Sequence, residues 1–230
     1  MINDKWYFRC MQNTNRIKSF DAPHKALRYG LSQLLIHAGK TDYTDRAQID
    51  TLYNIGKDVF KMLTVHAHDE NNVTLKHLES KAPGASHDNM ADHEVIEARQ
   101  LELENQLEKI YKGPVSATAP ATFYSSLSQY ISNYLLHMHG EETDTQQMLW
   151  LHFTDEELIG HRIEIMGKME PEMLKLWIKY IVPAQSFQEN TGFMTGFKKM
   201  APQPFFESVM AMLESRLNAD EFRKLSSALV

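Results

Sequence analysis

The chain has 230 residues and a formal net charge of −6, with 24 Lys and Arg against 30 Asp and Glu. That length suits one large helical domain or a bundle with an appendage, and the acidic balance argues against nucleic-acid binding through clustered cations. No apolar run approaches a membrane span, the polar N-terminus has no signal-peptide core, and Cys10 is the sole cysteine, which excludes an internal disulfide or a CxxC redox pair. The expectation is a soluble cytoplasmic protein with neither a nucleic-acid nor a membrane partner.

Residues 1–20 read as a polar arm over the domain, with an aromatic patch at Trp6, Tyr7 and Phe8. Asp21 is expected to cap a first helix with Pro23 in its opening turn, the stripe His24, Leu27, Leu31, Leu34, and an end at Gly39. Thr44 and Asp45 open a second helix with the stripe Leu52, Ile55, Val59, Leu63, His66, Glu70, expected to fray through 76–82 and stop by Pro83-Gly84. A third helix runs from near Ser86 to Lys112, with His93, Ile96, Gln100, Leu103, Leu107 and Ile110 on one face. A fourth begins near Thr118, with Pro120 in its first turn and the stripe Phe123, Leu127, Tyr130, Tyr134, His137, Glu141, Met148; Asp144 falls between the last two. Steps of three and four throughout are the seam of an all-α, up-down-up-down four-helix bundle over residues 21–153. Beyond Phe153 the helices shorten, with start signals at Thr154/Glu157, Pro171, Pro204 and Asn218. Residues 154–230 therefore read as a C-terminal helical extension packed on the bundle, open to use as a lid, a homodimer surface or plain support.

The polar residues inside these stripes carry the functional reading. His66 and Glu70, like His137 and Glu141, are four residues apart, so each pair offers an imidazole and a carboxylate from one helix face. His24 and His93 lie near helix starts while the two pairs lie near helix ends, and antiparallel neighbours bring start, end, start and end to one level. Six groups from four helices then converge. Burying them without a partner costs about 1–3 kcal/mol for each polar group and more for each charge, which a bound cation removes. Nitrogen and carboxylate donors without thiolate suit iron, manganese or zinc, and six ligands exceed the need of one structural zinc. Two metal ions bridged by Glu70 and Glu141, with two imidazoles each, fit the set. Of the other histidines, His68 and His139 should face outward. His37, His77, His87, His152 and His161 read as surface or satisfied polar residues. Tyr130 and Tyr134 either fill the core or line the pocket.

The order His24, His66-x-x-x-Glu70, His93, His137-x-x-x-Glu141, with Asp21-Ala22-Pro23-His24 and Asp92-His93-Glu94 around the single histidines, resembles the hemerythrin-like, or HHE cation-binding, domain. The resemblance spans about residues 20–150. It implies a four-helix bundle holding two iron ions, with carboxylate and oxo or hydroxo bridges, that binds oxygen, senses redox state, or handles nitric oxide or peroxide. Oxygen-carrying hemerythrins have a fifth histidine four residues after the third-helix ligand. Here that position is Glu97, which leaves one ion short of a protein ligand or itself coordinates. The expected function is binding, and in one version reduction, of O2, NO or peroxide. The alternatives are a metal- or redox-state sensor acting through residues 154–230, and iron handling without turnover.

Overall fold

A computed structural model of the protein describes residues 16–230. The arm residues Trp6, Tyr7, Phe8 and Cys10 lie outside that range. Among the described residues all regular structure is helical, and no helix is long and apolar enough to cross a membrane. The chain divides into two compact units, one of residues 31–168 with the segment up to Asp21, the other of residues 22–30 and 169–230. The first helix therefore belongs to both.

The first unit is built on long helices. Helix α1 (Asp21–Lys40) begins at Asp21 itself; Phe20 holds the capping position and makes no side-chain cap bond. Asp21 therefore places its charge within the first turn, where the helix dipole favours an anion. Leu31, Leu34 and Ala38 continue its buried stripe, and the helix ends one residue past Gly39. Helix α2 (Arg46–Asp69) is capped as expected, with the Asp45 carboxylate accepting from the Ala47 amide. The chain does not fray after Glu70. Residues Glu70–Thr74 form one turn of π-helix, and α3 (Leu75–Lys81) continues the rod with Leu75 and Leu78 fully buried. Helix α4 (His87–Lys112) packs against α2 and against α5 (Ala119–Gly140), and buries Leu103, Leu107 and Ile110 at steps of four and three. Gly56 on α2 allows that approach: a Cβ there would lie 2.2 Å from Leu107 Cδ2. Helix α5 passes through a second π turn, Glu141–Thr145, into α6 (Gln146–His152).

The two π turns explain why a simple helical count fails past Glu70 and Glu141. Each inserts one residue into the ladder, so the Leu75 amide bonds to the Glu70 carbonyl and the Gln146 amide to the Glu141 carbonyl, five residues back. The buried face then moves on by one position. Leu78 is buried rather than His77, Thr145 rather than Asp144, and Leu149 rather than Met148.

Helix α7 (Asp155–Lys168) opens on a reciprocal Thr154–Glu157 cap, and its Leu158 packs with Phe20, Leu78, Leu149 and Phe153. That shared core places α7 in the first unit, so the compact boundary falls after Lys168, whereas the change of helix length pointed to residue 154. The backbone before α1 is tied down here as well. Arg16 donates to the Trp150 and Phe153 carbonyls and pairs with Asp155, and Trp150 Nε1 donates to the Ile17 carbonyl.

In the second unit α8 (Pro171–Ala184), α9 (Phe187–Met200), α10 (Gln203–Glu214) and α11 (Ala219–Ala228) enclose a core of Ile178, Met194, Phe197, Val209, Leu213 and Leu225. Ser186 with Glu189 and Asn218 with Glu221 form capping boxes that start α9 and α11. The α1 segment within this unit pairs Lys25 with Glu189 and sets the Tyr29 ring edge-on to Tyr180.

Candidate metal centre

His24, His66, Glu70, His93, His137 and Glu141 are all buried, none more than 8% exposed. Their donor atoms fall into two groups, each lying within 4.8 Å of one another: His24, His66, Glu70 and Glu141 in one, His93, His137 and Glu141 in the other. Glu141 belongs to both. Glu70 also spans them, with Oε1 3.2 Å from His66 Nε2 and Oε2 3.4 Å from His93 Nε2. Glu141 Oε1 lies 3.2 Å from His137 Nε2 and 3.5 Å from His93 Nε2. The six residues selected by spacing are thus brought together, with two carboxylates in the middle and imidazole nitrogens around them. Glu97 is exposed on α4 and belongs to neither group.

The π turns are the local device that builds this arrangement. Glu70 and Glu141 are each the first residue of such a turn, four positions after a histidine on the same rod. The i, i+4 step keeps imidazole and carboxylate on one face. The inserted residue then turns the following side chains toward the cluster rather than along the heptad seam. Asn71, inside the first π turn, has Oδ1 2.8 Å from His93 Nδ1. The Asn71 side-chain oxygen can only accept, so His93 carries its proton on Nδ1 and is left with Nε2 toward the carboxylates. Thr145, inside the second, donates to Asn89 Oδ1 at 3.1 Å, and Asn89 Nδ2 in turn lies 3.4 Å from Glu141 Oε1. His137 Nδ1 faces Asp92 Oδ2 at 3.6 Å, beyond hydrogen-bond range. Asn71 and Thr145 escaped the pattern reading because a period of three and four cannot register an inserted residue, and Asn89 because nothing in its spacing on α4 pairs it with Glu141. The signal that locates Asn71 and Thr145 is the one-position slip of the apolar stripe after each glutamate.

The electrostatics ask for a cation. Two carboxylates removed from water cost several kcal/mol each unless positive charge compensates them. Without metal the protein answers with a proton. Burial works against a charged His93, yet the neighbouring Glu141 and Glu70 carboxylates outweigh it and raise its pKa to about 10. His93 Nε2 and His137 Nε2 are buried and face the two carboxylates, the place where a bound metal would take their lone pairs once His93 has lost its proton. The donor set of neutral imidazole and carboxylate therefore fits divalent iron, manganese or zinc.

Beneath the cluster the core turns aromatic, then polar. The Tyr134 ring meets His137 edge-on at 5.8 Å and is tilted against Tyr130, also 5.8 Å away. Burial pushes both phenols upward, so each stays neutral. Tyr130 donates to Gln100 Oε1 at 3.4 Å, and Gln100 Nε2 is 2.8 Å from both Thr64 Oγ1 and Glu104 Oε1. His68 and His139 are exposed. Of the two readings for His161, surface or satisfied polar residue, the surface one does not hold: it is buried, stacked at 4.5 Å on His77, which bonds to Glu164 at 2.9 Å. Desolvation lowers its pKa. No protein-family model, curated protein or solved structure matches the chain.

Proposed function

We propose that the protein is a hemerythrin-like di-iron protein in which α1, α2, α4 and α5 act as an up-down-up-down four-helix bundle around two iron ions. In this reading His24 and His66 would hold one ion and His93 and His137 the other, with Glu70 and Glu141 shared between them. The ligand is small and neutral or diatomic: O2, NO or peroxide. The observation that carries the reading is the shared position of Glu141 in two buried donor groups, each with two histidines. One structural metal would leave the second pair of imidazoles without a purpose.

A metal pair bound here would supply electrons and open coordination positions. The protein's own part is to hold donors in place, to keep bulk water away through the buried Tyr130 and Tyr134 side, and to fix the His93 tautomer through Asn71. Optical and Mössbauer spectra of iron-loaded protein test the proposal. The expected result is a coupled diferric signal in the oxidised protein that shifts on adding azide, and a reduced form that reacts with nitric oxide. An iron-loaded protein showing only isolated mononuclear iron, unchanged by either ligand, contradicts it.

A further inference from the structure

The two halves of the cluster differ in what lies outside them. A groove of about 550 Å³ runs between α4 and α5, and of the six proposed ligands only His137 and Glu141 line it. His24, His66 and Glu70 do not. The His93–His137–Glu141 half also has one fewer residue within donor distance than the other half, and Glu97, one turn along α4 from His93, is turned out to solvent. His137 is 8% exposed and lines the groove, while its Nε2 is buried against Glu141 Oε1. The groove walls near it combine apolar Val95 and Leu136 with three carboxylates, Asp88, Asp92 and Asp144, against one guanidinium, Arg99. All three aspartates are exposed. Gly140 also lines the groove, one residue before Glu141, and a Cβ added there would meet nothing within 4 Å.

Resting on the di-metal reading, we infer that the α4–α5 groove is the route by which metal ions and small ligands reach the cluster. They arrive at the His93–His137–Glu141 half. The excess of carboxylates makes the groove favour cations and neutral molecules over anions. A groove with the volume of a small-molecule pocket, whose wall includes two of the proposed ligand residues, brings solvent next to donors that are otherwise enclosed. Charges on the walls act over about one Debye length, ~10 Å at 0.1 M salt, so they act on a species entering the groove and are silenced at high salt.

Two measurements test this. In the first, cobalt(II) uptake by metal-free protein is followed by its d–d absorption in wild type, Gly140→Ala, Gly140→Phe and Leu136→Trp, with circular dichroism confirming the fold of each. Gly140→Phe fills the groove from a position with free space, and Leu136→Trp does so from a side chain that is 71% exposed. The expected outcome is unchanged final stoichiometry in all four, unchanged rate in Gly140→Ala, and uptake slowed by about tenfold or more in both plugged variants. Equal rates in the plugged variants and wild type overturn the inference alone. No cobalt uptake by wild type overturns the di-metal reading with it.

In the second, azide and nitric oxide association with iron-loaded protein are compared in wild type and Asp88→Asn/Asp144→Asn. The double variant is expected to bind azide about three- to tenfold faster at 10 mM salt, with no difference at 0.5 M and none for nitric oxide at either. An azide rate unaffected by the two substitutions at low salt overturns the charge selection.

Discussion

Replacing Asn71 by alanine tests the device that aims His93 at the proposed metal site. The wild-type side chain accepts from His93 Nδ1 at 2.8 Å, which fixes the tautomer and the ring plane. Losing one neutral hydrogen bond of this kind costs about 1 kcal/mol. Losing an outer partner of a ligating histidine commonly weakens metal binding about 10–100-fold, which is about 1.4–2.7 kcal/mol. The two estimates meet near tenfold, the expected weakening for Asn71→Ala. Asn71→Asp keeps the acceptor and adds charge, roughly doubling the strength of the bond, and should restore affinity to wild-type level or above. Asp92 is the internal control. Its carboxylate is 3.6 Å from His137 Nδ1 and 66% exposed, so Asp92→Ala should change affinity less than about threefold. Cobalt or ferrous titration against a competing chelator gives all three constants. Equal affinity in Asn71→Ala and wild type refutes the argument, as does an Asp92→Ala effect as large as that of Asn71→Ala.

Further expectations follow from the same geometry. Gly56→Ala puts a methyl group 2.2 Å from Leu107 Cδ2 in the α2–α4 contact, and Leu107 is only 2% exposed. Overpacking of this kind costs about 1–3 kcal/mol, more than alanine gains as a helix former, and thermal unfolding should show a lower midpoint. His93 has a folded-state pKa raised to about 10, so in metal-free protein its stabilisation is complete below pH 6.5 and is lost as pH climbs through 10. Metal must displace that proton. Calorimetry in buffers of different ionisation enthalpy should therefore show proton release on binding at pH 7–8, and a His93→Gln variant should release less. His161 runs the other way. Its folded pKa is lowered by burial, so the unfolded chain takes up the proton first and stability falls as pH drops below 6.5. Denaturant midpoints between pH 7 and 5 should fall less steeply in His161→Phe than in wild type. Asn218→Ala removes the capping box of α11 and should cost about 1 kcal/mol, seen as faster amide exchange in residues 219–228.

The helices and the six cluster residues were legible because both rest on a period that survives without knowledge of tertiary structure. Leu27, Leu31 and Leu34 mark α1; Leu103, Leu107 and Ile110 mark α4; His and Glu substituted into such a stripe stand out against it. What the period could not show is a change of period. Reading past Glu70 at steps of three and four places His77 inward and makes the segment look frayed, whereas the π turn brings Leu78 to the core instead. Asp144 drew attention for the same reason, and Thr145 took its place. Asn71 and Asn89 are ordinary polar residues in sequence; the π turn brings Asn71 to His93, and the packing of α4 on α5 brings Asn89 to Glu141. The boundary after Lys168 was hidden because α7 opens with a cap like those of the later helices, while its Leu158 packs on Phe153 and Leu149. Glu97 had the spacing of a ligand, and its exposure decides its place.

The proposed centre requires two metal ions per chain, which elemental analysis counts. Protein made in iron-replete cells, analysed for all first-row metals alongside protein quantified by amino-acid analysis, should carry about two ions per chain, falling below one in Glu70→Ala/Glu141→Ala. A wild-type chain that holds one ion or none under these conditions, with an intact helical spectrum, contradicts the account.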